Sequence, residues 1–247
     1  MRIIAFAYGA VCYVIFFVTF LYAIGFVGNL IVPKSIDTGP PAATLTRGLI
    51  ANLILLSIFA IQHSVMARPW FKRMWTRFIP EPIERSTYVL FSSLALILLF
   101  WQWRSIADIV IWDVTNPIGA AVLWALFFIG WAIVLLSTFM INHFDLFGLR
   151  QVDKFRKGEE YTDLGFRTPF FYRFVRHPIM LGFIIAFWAT PRMTGGHLLF
   201  AAVTTAYILV AIQLEERDIV NAHGESYENY RKQVPMIVPI PKGRSGA

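Results

Sequence analysis

Apolar runs separated by short charged blocks make up most of the chain. Residues 4–30, 48–66, 88–103 and 118–141 form four such runs. Each approaches or exceeds the roughly 20 helical residues that cross a hydrocarbon core of about 30 Å. The fifth run, 179–214, is of a different kind, because in one straight helix it would extend about 54 Å. Its middle holds Pro191, Arg192, Met193, Thr194, Gly195 and Gly196, a strong turn signal. The pattern therefore predicts a helical hairpin with arms at 178–190 and 197–214. The first arm is short for a full span, so the expectation is six crossings with a shallow hairpin, or five if that arm is re-entrant.

These elements define an all-α, polytopic integral membrane protein of five to six transmembrane helices. One membrane domain, 1–247, divides into N-terminal helices (1–141), a polar loop (142–177), the hairpin (178–214) and a polar tail (215–247). Composition agrees: 57% of residues are hydrophobic and 16% aromatic, with a mean hydropathy of +0.60, more apolar surface than a soluble domain buries. The first run is longer than the roughly 7–15 apolar residues of a signal peptide and reads as a retained helix. The single Cys12 excludes a disulfide framework and a Cys-based zinc site.

The net charge of +7 changes the picture only through its placement. Arg68, Lys72, Arg73, Arg77 and Arg85 follow the second run. Arg150, Lys154, Arg156, Lys157, Arg167, Arg173 and Arg176 lie in the long loop, and Arg217, Arg231, Lys232, Lys242 and Arg244 lie in the tail. With Arg2 they outnumber Lys34, Arg47, Arg104 and Arg192 on the other side, which places both termini and both large loops in the cytoplasm. Basic loops facing an anionic leaflet account for the charge without a nucleic-acid partner. Phe155, Tyr161, Phe166, Phe170, Phe171 and Tyr172 suit short helices lying on the membrane surface.

Two polar motifs bracket the hairpin. Arg176-His177-Pro178 opens it, with proline at a first helical position where its missing N–H costs nothing. The unpaired N–H groups there, reinforced by Arg173 and Arg176, suit an anion. Glu215-Glu216 closes the hairpin, where carboxylates at a helix C-terminus call for a cationic partner. A hairpin brings both motifs to one membrane face. Taken singly, each also reads as snorkelling or solvated side chains at a helix end.

Arg-His-Pro-x-Met-x-Gly at 176–182, the hairpin, Glu215-Glu216, then Gly224, Tyr227, Tyr230 and a Val238-Pro239 ending resemble the C-terminal region of the isoprenylcysteine carboxyl methyltransferase and phospholipid methyltransferase superfamily. The resemblance implies an integral membrane enzyme using S-adenosyl-L-methionine. It nominates Arg173, Arg176, His177, Pro178, Met180, Gly182, Glu215, Glu216, Tyr227 and Tyr230 as cofactor-binding residues, with Met180 where the family has Tyr. The tail would complete a cytoplasmic cofactor-binding cap. No Gly-x-Gly-x-x-Gly follows a strand-like run, which argues against a Rossmann methyltransferase.

Upstream, Gln62-His63-Ser64-Val65-Met66-Ala67-Arg68 and the stretch from Asn142-His143-Phe144-Asp145 to Arg150-Gln151 resemble the small-thiol branch of that superfamily. The resemblance implies methylation of methanethiol to dimethyl sulfide at the cytoplasmic side of a bacterial inner membrane. A thiol must ionise to attack a methyl group. His143 oriented by Asp145 is the first candidate base and His63 the second, both near operating pH. Arg150 and Gln151 are candidate substrate-binding residues, or braces of the loop. His197 falls in the opposite turn, and His223 before Gly224 ends a helix. No metal site is expected. One alternative is a lipid or prenylated acceptor, which needs a wide lateral opening that Phe127, Phe128 and Trp131 would narrow. A second is a haem- or metal-binding membrane protein using His63 and His143, which leaves the paired hairpin motifs unexplained. Too few buried ionisable residues lie in the spans for a transporter.

Overall fold

The computed structural model describes residues 1–162 and 164–239; the tail cations Lys242 and Arg244 lie outside them. In chain order the elements are α1 (Arg2–Gly28), α2 (Leu45–Ala67), α3 (Pro69–Trp75), α4 (Glu81–Gln102), β1 (Val110–Asp113) and α5 (Pro117–Ile141). There follow α6 (His143–Leu146), α7 (Leu149–Lys157), a 3-10 turn (Phe170–Arg173), α8 (Pro178–Trp188), β2 (Arg192–Thr194), α9 (Gly195–His223) and α10 (Glu225–Gln233). Five of the helices, α1, α2, α4, α5 and α9, are long and apolar enough to cross a membrane. The protein is an integral membrane protein.

Local chemistry sets the helix starts. Thr44 accepts from the Arg47 N–H at the head of α2, and Thr194 accepts from the His197 N–H at the head of α9. Asn116 accepts from the Ile118 and Gly119 N–H groups, just after Pro117, at the head of α5. The core is aromatic: Phe26, Phe100, Trp103, Phe127, Trp131, Phe187 and Phe200 pack in mostly edge-to-face pairs. The outward positions are apolar as well, Val11, Ile54, Leu94 and Ile129 among them, as a hydrocarbon environment requires.

The α5–α8 contact is the tightest in the bundle. A Cβ on Gly182 would lie 2.7 Å from the Gly130 carbonyl oxygen, and one on Gly130 would lie 2.7 Å from that of Gly182. Two glycines facing each other let the backbones touch, the small-residue packing of membrane helices.

At the opposite end of the bundle from the start of α8, β2 pairs antiparallel with β1 of the α4–α5 loop. Thr194 Oγ1 donates to Asp37 at 2.6 Å, and Asn29 Nδ2 donates to the other oxygen of Asp37 at 2.8 Å. The hairpin turn is thus fastened to both loops of that end, and its two arms return together to the other. The extended stretch 189–194 carries the short arm on to those loops. One expectation changes. The second arm does not stop at residue 214, because nothing breaks the helix before Gly224, whose φ of 54° ends α9. Glu215 and Glu216 lie two turns inside a helix, so the dipole penalty expected at a C-terminus does not apply.

Candidate active site

Three segments meet where α8 begins. The tail after α10 runs alongside, the Arg176 and His177 N–H groups donating to the carbonyls of Pro235 and Met236 at 2.9 and 3.1 Å. Arg176 Nε donates to Glu216 Oε1 at 2.7 Å, and its Nη1 donates to the Val234 and Arg231 carbonyls at 2.6 and 3.1 Å. His177 Nε2 sits 3.0 Å from the same Glu216 oxygen. Glu216 and His177 are only 5% and 7% exposed, so the carboxylate depends on these partners for its charge. Arg176 acts as a clamp that ties α9 and the tail to the head of α8.

Tyr227 is packed beside this cluster. Its Oη is fully buried and makes no hydrogen bond of good geometry among the described residues. Burial, with the Glu216 charge adding to it, pushes the phenol's pKa well up and keeps it protonated. Phe166, Tyr227 and Tyr230 pack edge to face, and Tyr230 Oη donates to the Tyr172 carbonyl. Burial pushes the Tyr230 pKa up to about 12.

Glu215 points elsewhere. Tyr207, Ala211, Glu215 and Asp218 follow the i, i+4, i+8, i+11 spacing of one helix face. That face meets the end of α2, where Tyr207 Oη lies 3.0 Å from Ser64 Oγ and Asp218 pairs with Arg68 at 2.8 Å. Glu215 is 45% exposed, its Oε2 is 3.8 Å from His177 Nδ1, and its charge reaches Tyr88, Tyr172 and Tyr207. Neighbouring carboxylates therefore differ in role: Glu216 is buried in the clamp, and Glu215 is half exposed beside His177.

Pro178, buried at the first position of α8, leaves the following N–H groups without a side-chain cap. Three of the nominated residues stand apart. Gly182 is spent on the α5 contact. Met180 packs against Ile208, Ile212 and Ile237 in an apolar layer, so its lack of a hydroxyl matters less than the sequence suggests. Arg173 is exposed on the 3-10 turn.

The expected Asp145–His143 pairing is replaced by other partners. Asp145 binds Arg150 at 2.8 Å, while His143 Nε2 and Nδ1 are each 2.8 Å from Tyr13 Oη and Thr138 Oγ1. The reason is local: Asn142, in a left-handed conformation, caps the Asp145 N–H and turns the two side chains apart. Burial pushes the His143 pKa down, so it is neutral near pH 7. Arg150 stacks over Tyr161, and Gln151 Nε2 donates to the Asp145 carbonyl, so both brace the loop. His63 lies against Tyr88 and Ser92 of α4. Tyr88, Tyr172 and Tyr207 carried no motif in the sequence; only their partners in space single them out.

A bundle with five membrane-length helices carries a buried Arg–His–Glu clamp at one end, and defines an integral membrane protein. The sequence matches the NnrU protein family over residues 51–216, and the chain belongs to that family. It is 58% identical over 240 residues to methanethiol S-methyltransferase of Mycobacterium tuberculosis (strain ATCC 25618 / H37Rv), covering 97% of this chain and 98% of that one. The enzyme of the same name from Crocosphaera subtropica is 58% identical over 94% of this chain and 91% of its own. Methanethiol S-methyltransferase 1 of Bradyrhizobium diazoefficiens is 58% identical over 96% and 83%. No solved structure matches.

Proposed function

We propose that the protein is an S-adenosyl-L-methionine-dependent methyltransferase that converts methanethiol to dimethyl sulfide. Relatives of that printed name at 58% identity over nearly the full chain are the observation that carries the reading. The chemistry of the residues fits the donor. The uncapped N-terminus of α8 suits its carboxylate, Glu215 suits its ammonium or ribose hydroxyls, and the faces of Tyr227 and Tyr230 suit a sulfonium. Tyr227 Oη, fully buried beside Glu216, has an O–H that can turn toward it. When bound, the donor supplies an electrophilic methyl group that the thiolate sulfur takes as the old methyl–sulfur electron pair stays with the departing thioether.

The chain's own work is to hold that geometry, exclude water and take the thiol proton. Neutralisation of thiolate by sulfonium is favoured in a dry site, which the surrounding apolar helices supply. His143 and His63 are the candidate bases. The basic loops support a cytoplasmic side for the site and both termini, in a bacterial inner membrane. A small apolar thiol reaches the site through the bilayer.

Purified protein incubated with methyl-labelled S-adenosylmethionine and methanethiol is expected to release labelled dimethyl sulfide into the headspace. Lipid or prenylated thiol acceptors should take little label; preferential labelling of those acceptors would reverse the substrate assignment.

A further inference from the structure

We propose that His63, positioned by Tyr88 and Ser92, is the group that takes the thiol proton, and that His143 is a packing residue. This rests on the thiol methyltransferase reading above.

Accessibility separates the two histidines. His143 is 2% exposed. Its ring stacks on Phe139 at 4.2 Å, and Tyr13, Phe144 and Phe147 close its edges. A substrate touches it only by dismantling that packing. His63 is half-buried and keeps accessible surface. Its ring stacks on Phe59 at 5.2 Å, and Ser92 Oγ lies 3.1 Å from Nδ1. Tyr88 Oη is 3.1 Å from Nδ1 and 3.0 Å from Nε2, so it holds the edge of the ring and can serve one nitrogen at a time. With Ser92 accepting from Nδ1–H, Nε2 carries the lone pair, which the Tyr88 O–H releases when it turns to the other nitrogen.

Position agrees. His63 lies one residue from Ser64 and one turn before Arg68, which bind Tyr207 and Asp218 on the face of α9 that presents Glu215. That carboxylate also reaches Tyr88 and His177. No residue of the Arg176–Glu216 cluster is among the partners of His143 described above. The charged and titratable groups around His63 are Arg68 on α2, Arg85 and Tyr88 on α4, and Tyr207 and Glu215 on α9. An apolar groove on the outer face of α2, lined by Ile54, Ile58 and Ile61, ends at Gln62, which shares Ser92 with His63.

In the step assigned to His63 the S–H bond breaks, the proton passes to Nε2, and sulfur keeps the electron pair that forms the new S–C bond. The imidazolium then returns the proton to water.

The test compares methanethiol with hydrogen sulfide, a stronger acid that needs less help to ionise. S-adenosylhomocysteine release is followed against pH for the wild type, His63→Gln, Tyr88→Phe and His143→Gln, with donor affinity measured by calorimetry. His63→Gln is expected to lose about 100-fold or more in kcat with methanethiol at neutral pH, much less with hydrogen sulfide or at high pH, and to bind the donor as the wild type does. Tyr88→Phe should shift the pH profile with a smaller loss. His143→Gln should show one deficit for both thiols. Equal deficits for both thiols in His63→Gln, loss of donor binding there, or a thiol-dependent deficit in His143→Gln would overturn the assignment. Failure of the thiol methyltransferase reading looks different: the wild type would methylate neither thiol.

Discussion

Glu216→Gln is expected to abolish donor binding and to weaken the fold in the same stroke. The substitution keeps the shape of the side chain and removes the charge that Arg176 and His177 share. Arg176, whose side chain is 9% exposed, then keeps a buried charge without its counter-ion. Breaking a buried pair in this way typically costs about 3–5 kcal/mol. The clamp also fixes the Arg231 and Val234 carbonyls, so the tail that carries Tyr227 and Tyr230 loses its seat. At 1.4 kcal/mol per decade, a loss of about 3 kcal/mol in donor binding is a drop of more than about 100-fold. Stability and binding are separable. The double variant Arg176→Met/Glu216→Leu replaces the ion pair with apolar groups, a change often neutral for stability. It should recover much of the thermal stability in detergent while calorimetry still finds no donor binding. Wild-type affinity in Glu216→Gln would remove the clamp from the account.

Gly182→Leu is expected to have the second large effect, on folding rather than chemistry. The added Cβ would lie 2.7 Å from the Gly130 carbonyl oxygen and 2.8 Å from Val134 Cγ2, and a backbone atom cannot rotate away. α8 and α5 must separate, and Phe183 and Phe187 leave their packing on Trp131. Overpacking typically costs about 1–3 kcal/mol, and occasionally more, when side chains yield; a clash with backbone belongs at or above the top of that range. Thermal unfolding in detergent should show a large fall for Gly182→Leu and a smaller one for Gly182→Ala, and the same order is expected at Gly130. Unchanged stability in Gly182→Leu, with activity lost, would return this glycine to the donor site where the sequence motif places it.

These two positions also show what the sequence could and could not reveal. The spans were legible because hydrocarbon imposes apolar positions on nearly every face, so run length alone finds them. The hairpin was legible from Pro191 to Gly196, and so was the need of Glu215 and Glu216 for a cationic partner; that Arg176 and His177 both join Glu216 was not. Which carboxylate does what was not legible. Glu215 and Glu216 are neighbours in sequence, but the 100° step between helical residues sends one to the clamp and the other to the tyrosines. Asp145 and His143 stand two residues apart and read as a dyad, yet Asn142 and Arg150 draw the aspartate away. Gly182 looks like a motif residue because it falls in one, whereas its neighbour across the interface, Gly130, lies fifty-two positions earlier with no signal. Tyr88 is invisible for the same reason: its partner His63 is on another helix, and only packing joins them.

The central claim is that the two ends of the last hairpin, with the tail, form the seat of the methyl donor. Photo-crosslinking of methyl-labelled S-adenosylmethionine to the purified protein, followed by peptide mapping, tests it most directly. Label is expected in 172–182 and 207–236, competed away by unlabelled donor. Label confined to 142–162 or to α1, with the hairpin ends unmarked, would contradict it.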